Sequence, residues 1–195
     1  MAATDTREQI VEAADRLFYE QGFDHTSFAD VAAAVGISRG NFYYHFKTKD
    51  EILDAVVAAR LDRTRAMLDV WEHEGADPAD RIRRFVRILI DNRAKIMRHG
   101  CPVGTLCNEL AKLDHAAKNA AAAIFTAFQN WLAVQFAALG HAEEADALAL
   151  HLLARTQGVA TLASAFCDEA FIRREVTGVE AWLAALQGGR DIAGH

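Results

Sequence analysis

The stretch from Ser27 to Lys49 constrains the fold of this chain more than any other, because helix start and stop signals alternate along it at short range. Ser27 is a good N-cap, and Asp30 sits three residues on, where a carboxylate favours a helix start. Phe28, Val31, Ala32 and Val35 follow at i, i+3, i+4 and i+7, the spacing of one buried helical stripe. Gly36 can supply the left-handed residue that ends such a helix. Ile37 is placed to plug the corner. Ser38 can cap a second helix, whose apolar residues are Phe42 and Phe46, again at i and i+4. The pattern predicts two short helices and a tight turn, with a basic exit through Lys47 and Lys49.

The outward residues of that second helix are Arg39, Asn41, Tyr43, Tyr44 and His45, all long, polar or aromatic. A two-helix unit of this kind is the helix-turn-helix, whose second helix enters the major groove of DNA. Arginine can read guanine and asparagine adenine, while tyrosine, serine and lysine hold phosphates. Gly40 costs about 1 kcal/mol against alanine in a helix, a cost that makes sense where something must approach the backbone closely. Thr26 and Ser27 lie where a hydroxyl can reach phosphate. Each residue also has a plainer use. Tyr43 or Tyr44 can be half-buried, His45 can offset the helix dipole, and Lys49 can solvate the next helix start. Gathered on one short capped helix, they favour a DNA-binding helix-turn-helix over about 27–46.

Three runs carry a resemblance to a known family: Thr26–Ala32, Val35–Gly40 and Asn41–Leu53. They resemble the DNA-binding domain of the TetR (tetracycline-repressor) family of transcriptional regulators, over roughly residues 4–64. The resemblance implies that Tyr43 and Lys49 contact phosphate. It assigns Arg39, Asn41, Tyr44 and His45 to base edges or nearby backbone, with Ser38, Gly40 and Lys47 beside them. It further implies a homodimer on a palindromic operator, a small-molecule effector, and a four-helix dimer interface made by the last two long helices.

The bulk numbers agree with an all-α chain in a reducing, cytoplasmic setting. Hydrophobic residues make up 52% and only two prolines occur. The net charge of −6 argues against general nucleic-acid stickiness, and acidic residues outnumber basic ones even within the first fifty. DNA binding would therefore rest on local placement of charge. The cysteines, Cys101, Cys107 and Cys167, form no disulfide framework. No signal-peptide core and no run of eighteen apolar residues is present, so no membrane association is expected.

Beyond residue 64 the pattern stays helical. Residues 1–4 read as a loose tail, and a first helix runs from an Asp5 or Thr6 cap to Gly22. Thr48 and Glu51 form a capping box that opens a helix reaching Gly75, roughly 37 Å long at 1.5 Å per residue. Asp77-Pro78 starts the next, and residues 99–104 read as a breaker loop. Thr105 is expected to cap a short helix, and Asp114 to open one reaching Gly140. Two long helices follow, at 142–168 and about 171–187, with Gly188-Gly189 as the stop. Domains are thus expected at 4–64, for DNA binding, and at 65–195, for ligand sensing and dimerisation.

Catalytic chemistry finds little support. Gly36-Ile37-Ser38-Arg39-Gly40 fits G-x-S-x-G, but a nucleophile elbow needs a strand before the serine, and an alanine-rich helix is expected there. No dinucleotide fingerprint or P-loop occurs, and no catalytic residue, metal site or cofactor is expected. A ligand pocket, by contrast, needs an apolar cavity with a few polar groups. Its candidate lining is Trp71, Phe85, Leu89, Asn92, Cys101, Leu106, Glu109, Phe125, Phe128, Trp131 and Phe166. The expected protein is a ligand-responsive transcriptional regulator, a repressor released by its effector. Two alternatives stay open: a regulator that is effector-independent or answers to oxidation of Cys101 or Cys107, and a small helical enzyme.

Overall fold

Asp5 begins the first helix by accepting the Arg7 N–H on its carboxylate, and ten α-helices succeed one another along the described residues. The computed structural model describes residues 5–188; the expected tail at 1–4 and the stop at Gly189 lie outside them. The helices are α1 (Thr6–Gln21), α2 (Phe28–Val35), α3 (Arg39–His45), α4 (Lys49–Glu74) and α5 (Pro78–Asp91). After them come α6 (Arg93–His99), α7 (Pro102–Lys112), α8 (Lys118–Ala138), α9 (Ala145–Phe166) and α10 (Glu169–Gly188). No strand occurs among the described residues, and no helix there is long and apolar enough to cross a membrane.

Three expected boundaries move, each for a local reason. The helix after Asp77-Pro78 breaks at Asn92, giving α5 and α6; the Asn92 side-chain amide turns back onto the Ile88 carbonyl at 3.2 Å. The breaker loop shrinks to Gly100-Cys101. Pro102 is the first residue of α7, where its missing N–H costs nothing, so Thr105 lies inside the helix instead of capping it. Asp114 ends α7 and does not open α8. It takes a left-handed φ of 49°, while the His115 N–H reaches back 2.9 Å to the Leu110 carbonyl.

The chain packs into two compact units. Among the described residues, one runs up to Arg65 and again from Pro102 to Phe125, the other from Ala66 to Cys101 and from Thr126 onward, so the cuts fall inside α4, before α7 and inside α8. In the first unit, α1, α2, α3, the start of α4 and α7 share one apolar core. Ile10, Ala14, Phe42, Phe46, Ile52, Leu53, Val56 and Leu110 are essentially sealed from solvent. The packing unit around the N-terminal helices therefore includes α7, from well beyond residue 64.

In the second unit, α5, α6, α9 and α10 pack on one another through Ile82, Val86, Ile96, Leu152, Val159, Ala163, Ile172 and Leu183, all buried. On α9 a second apolar set faces outward: Leu150 and Leu162 are exposed, and Phe166 is 66% exposed.

Candidate nucleic-acid interface

The corner between α2 and α3 is built by capping. The Ser27 hydroxyl accepts the Asp30 N–H at 3.2 Å, and the Asp30 carboxylate accepts the Ser27 N–H at 2.8 Å and the Ser27 hydroxyl at 2.6 Å. Those two donors, the hydroxyl first, hold the Asp30 carboxyl below the usual aspartate range. Gly36 ends α2 with φ 75° and ψ 28°, a left-handed geometry that disfavours any side chain. The Ile37 N–H then reaches Ala32, and the Ser38 hydroxyl accepts the Asn41 N–H at 3.3 Å to start α3. The G-x-S-x-G sequence is thus a helix corner with α2, not a strand, before its serine.

α3 has one buried face and one open face. Phe42 is 1% exposed and meets Phe28 edge-on at 5.3 Å. On the open side, Arg39 and Asn41 are exposed, and among the described residues their side chains make no internal hydrogen bond or ion pair. Gly40 needs no special φ, and a Cβ there would meet nothing within 4 Å, so the fold itself does not require a glycine. Tyr44 is 78% exposed, with His45 edge-on at 5.1 Å. Tyr43, 46% exposed, leans on Phe28 at 5.6 Å, which restricts its ring while leaving its edge open.

Other expected contacts are already engaged. Thr26 is 1% exposed, and its hydroxyl donates to the Gly22 carbonyl at 2.7 Å. Lys49 Nζ donates to the carbonyls of Phe23 and Asp24 at 2.9 and 3.2 Å, and lies 4.3 Å from the centre of the Phe23 ring. Lys47 Nζ donates to the Tyr43 carbonyl, and the Lys47 N–H donates to Glu51 at 2.7 Å. Ser27 is occupied by its capping box.

Residues 10–56 match the family model described as bacterial regulatory proteins, tetR family. Residues 78–175, half of the chain, match the C-terminal domain of LmrA/YxaF-like transcriptional regulators. The chain belongs to the TetR family. It is similar to the HTH-type transcriptional regulator TtgR of Pseudomonas putida, 33% identical over 51% of this chain and 52% of that protein. It also resembles the uncharacterized regulator YxaF of Bacillus subtilis, 27% identical over 72% of this chain and 74% of the relative. The chain spans about half the length of the first curated relatives it matches. Among solved structures, a TetR regulator from Legionella pneumophila superposes with a TM-score of 0.81 at 24% identity, covering 95% of this chain and 98% of the other. SCO4454 from Streptomyces coelicolor gives 0.80 at 21% identity, covering 93% and 96%. At those identities the likeness is one of fold.

The pocket candidates of this TetR-family chain fall into both units. Leu106 is buried in the core of the first, and the half-buried Glu109 and Phe125 belong to the same unit. Glu109 is committed to the backbone N–H groups of Phe23 and Asp24, at 2.9 and 2.8 Å. In the second unit Trp71 meets Trp131 at 5.8 Å and Phe85 meets Phe128 at 5.4 Å. Leu89 is buried, Cys101 half-buried, and Asn92 and Phe166 are exposed. Sequence reasoning missed the polar group beside the tryptophans. Glu72 accepts the Trp131 indole N–H at 3.0 Å and the Gln135 amide at 2.8 Å, and pairs with Arg81 at 2.7 Å. The Arg81 Nε is buried with no hydrogen-bond partner among the described residues. The available signal was the one-turn spacing of Trp131 and Gln135 together with a carboxylate next to Trp71.

Proposed function

We propose that this chain is a homodimeric, DNA-binding transcriptional regulator, a repressor that leaves a palindromic operator when a small molecule binds. One observation carries the reading. The open face of α3 holds Arg39, Asn41, Tyr43 and Tyr44 exposed, while Phe42 on the opposite face seats the helix. Long polar side chains whose polar groups are not used within their own fold are free to pair with base edges and phosphates. The direct DNA contacts are Ser38, Arg39, Gly40, Asn41, Tyr43, Tyr44 and His45. Thr26, Ser27, Lys47 and Lys49 act chiefly by holding the backbone around them.

Dimerisation is assigned to α9 and α10. The outward Leu150, Leu162 and Phe166 on α9 are what a two-fold mate would cover. The effector is assigned to the second unit near Trp71, Trp131, Phe85 and Phe128, where the unpartnered Arg81 Nε offers a donor. The DNA-binding part spans 4–64 and the sensing and dimerising part 65–195, in the cytoplasm and without catalytic activity. Binding energy can move the operator equilibrium only through unequal affinity for two conformers. The test is selection of bound duplexes from a random pool, followed by titration of the selected duplex with small apolar compounds. Enrichment of a two-fold symmetric site and its release by a compound are expected. A chain that enriches no sequence at modest salt is not such a regulator.

A further inference from the structure

The connector between α1 and α2 is gripped through both the N–H and the carbonyl groups of the same two residues. Its consecutive N–H groups, from Phe23 and Asp24, both donate to the Glu109 carboxylate, at 2.9 and 2.8 Å. Its carbonyls, from the same two residues, accept the Lys49 ammonium. Gly22 makes room for this arrangement. It sits at φ +93°, and a Cβ there would stand 3.1 Å from a Glu109 oxygen. The Phe23 ring closes the site, packed 5.2 Å from Phe18 and 5.3 Å from His115.

The clamp comes from far along the chain, 86 residues from Phe23. It stands on α7, which is tied down elsewhere too. Arg60 donates to the Pro102 carbonyl at 2.5 Å while pairing with Asp15 of α1 at 2.5 Å, and His115 lies 3.3 Å from Asp50. α7 is reached from residues 66–101 and left along α8, so the covalent path to it runs through the second unit in both directions.

Immediately after the gripped peptides, Thr26 closes onto Gly22 and Ser27 starts α2. α3 follows, seated on α2 through Phe28 and Phe42. The direction in which α2 leaves the connector therefore sets where the open face of α3 lies. We propose that Glu109 is a positioning residue for duplex binding: its two charge-assisted bonds hold the connector, and through it the α2–α3 corner, in the DNA-competent geometry. This rests on the DNA-binding reading above. Two bonds to a carboxylate are strong; Asp24 is exposed, so its freed N–H can turn to water, whereas the N–H of the buried Phe23 must find its new partner by a shift of the connector. Release of the clamp then shifts the corner without unfolding the helices.

The experiment uses the full chain and its Glu109→Gln variant. Glutamine keeps the shape but offers one carbonyl oxygen where glutamate offers two, and presents an NH2 group to the other peptide. The probe is the duplex that the unaltered chain enriches from random double-stranded DNA, with a scrambled duplex as control. The expected result has three parts: faster amide exchange at Phe23 and Asp24, an affinity for the enriched duplex about tenfold or more lower, and a melting temperature lowered only modestly, so that the variant is still folded where binding is measured. Glu109→Gln combined with Lys49→Met should lose less than the product of the two single losses, since both side chains hold the backbone of Phe23 and Asp24. Equal affinity of Glu109→Gln and the unaltered chain overturns the proposal while leaving the DNA-binding reading intact. An affinity loss that disappears when binding is measured well below the variant's melting temperature also overturns it, because Glu109 is then only a stabilising residue. An unaltered chain that enriches no duplex overturns both.

Discussion

The open face of α3 and the connector before α2 contain the same kinds of residue, yet the fold uses them in opposite ways. Arg39 and Asn41 make no internal hydrogen bond among the described residues. Thr26 and Lys49 are engaged by Gly22, Phe23 and Asp24. A polar group that is satisfied internally is costly to remove for stability, whereas one that is free costs the fold nothing and is available to a partner. Residue type alone does not separate the two cases; the position of the nearest backbone carbonyl does.

The sharpest way to break this contrast is to remove what both sets depend on. Phe42→Ala should destabilise the first unit by about 3–5 kcal/mol, because it empties a fully buried aromatic site. Urea unfolding should then show two transitions or a lowered midpoint, and duplex binding should disappear with the folded α3. If binding survives at full strength, the buried face of α3 is not what presents its open face.

The next pair sets the two regions against each other. Arg39→Ala should change the unfolding free energy by no more than about 0.5 kcal/mol and cost about 1–3 kcal/mol of binding, with relaxed preference at one base position. Thr26→Val should do the reverse. It leaves the Gly22 carbonyl without its buried donor, so about 1–2 kcal/mol of stability is lost while base preference is unchanged. Denaturant titrations and site selection on both variants check this, and exchanged outcomes would invert the comparison.

Much of this was legible in the sequence because capping is local. Ser27 with Asp30, Gly36, Ser38, Asp77 with Pro78, and Thr48 with Glu51 each announce a helix boundary from within a few residues, and the fold realises them. Two of the displaced boundaries share one cause. Asp114 and Pro102 carry chemistry that suits either a helix start or a break. Asp114 turned out to be the left-handed stop of α7, and Pro102 its first residue. Glu109 reads as a polar pocket residue because nothing near it in sequence reveals that two N–H groups 86 and 85 residues away converge on it. Lys49 is ambiguous in the same way. A lysine after a recognition helix suggests phosphate, and only the folded connector shows the two carbonyls under its ammonium.

Lys49 is accordingly an intermediate case. Its ammonium is half-buried and still in reach of solvent, so Lys49→Met should lower stability by about 1 kcal/mol, less than a fully buried charged hydrogen bond would. It should also weaken binding to every duplex alike. A salt dependence unchanged from the parent assigns Lys49 to the connector alone, and a slope shallower by about one unit gives it a phosphate as well.

The smallest effect concerns the capping box, which belongs wholly to the internally satisfied set. The Ser27 hydroxyl and N–H hold the Asp30 carboxyl below the ordinary aspartate value of 3.8. The folded chain therefore binds this proton less readily than the unfolded chain does. The contribution of the box is complete above 3.8 and is lost as the pH falls through the lowered folded value. Ser27→Ala removes the larger of the two causes. Its stability deficit against the parent should be largest near neutral pH and should narrow in acid, with both chains measured by urea unfolding at each pH. Other carboxylates titrate in the same range, so the difference between the two chains is the quantity to follow, because their common titrations cancel. A deficit that stays constant from neutral pH into acid would mean that the Ser27 hydroxyl acts through the Asp30 N–H alone. The charge on Asp30 would then be as free as that of the residues on the open face of α3.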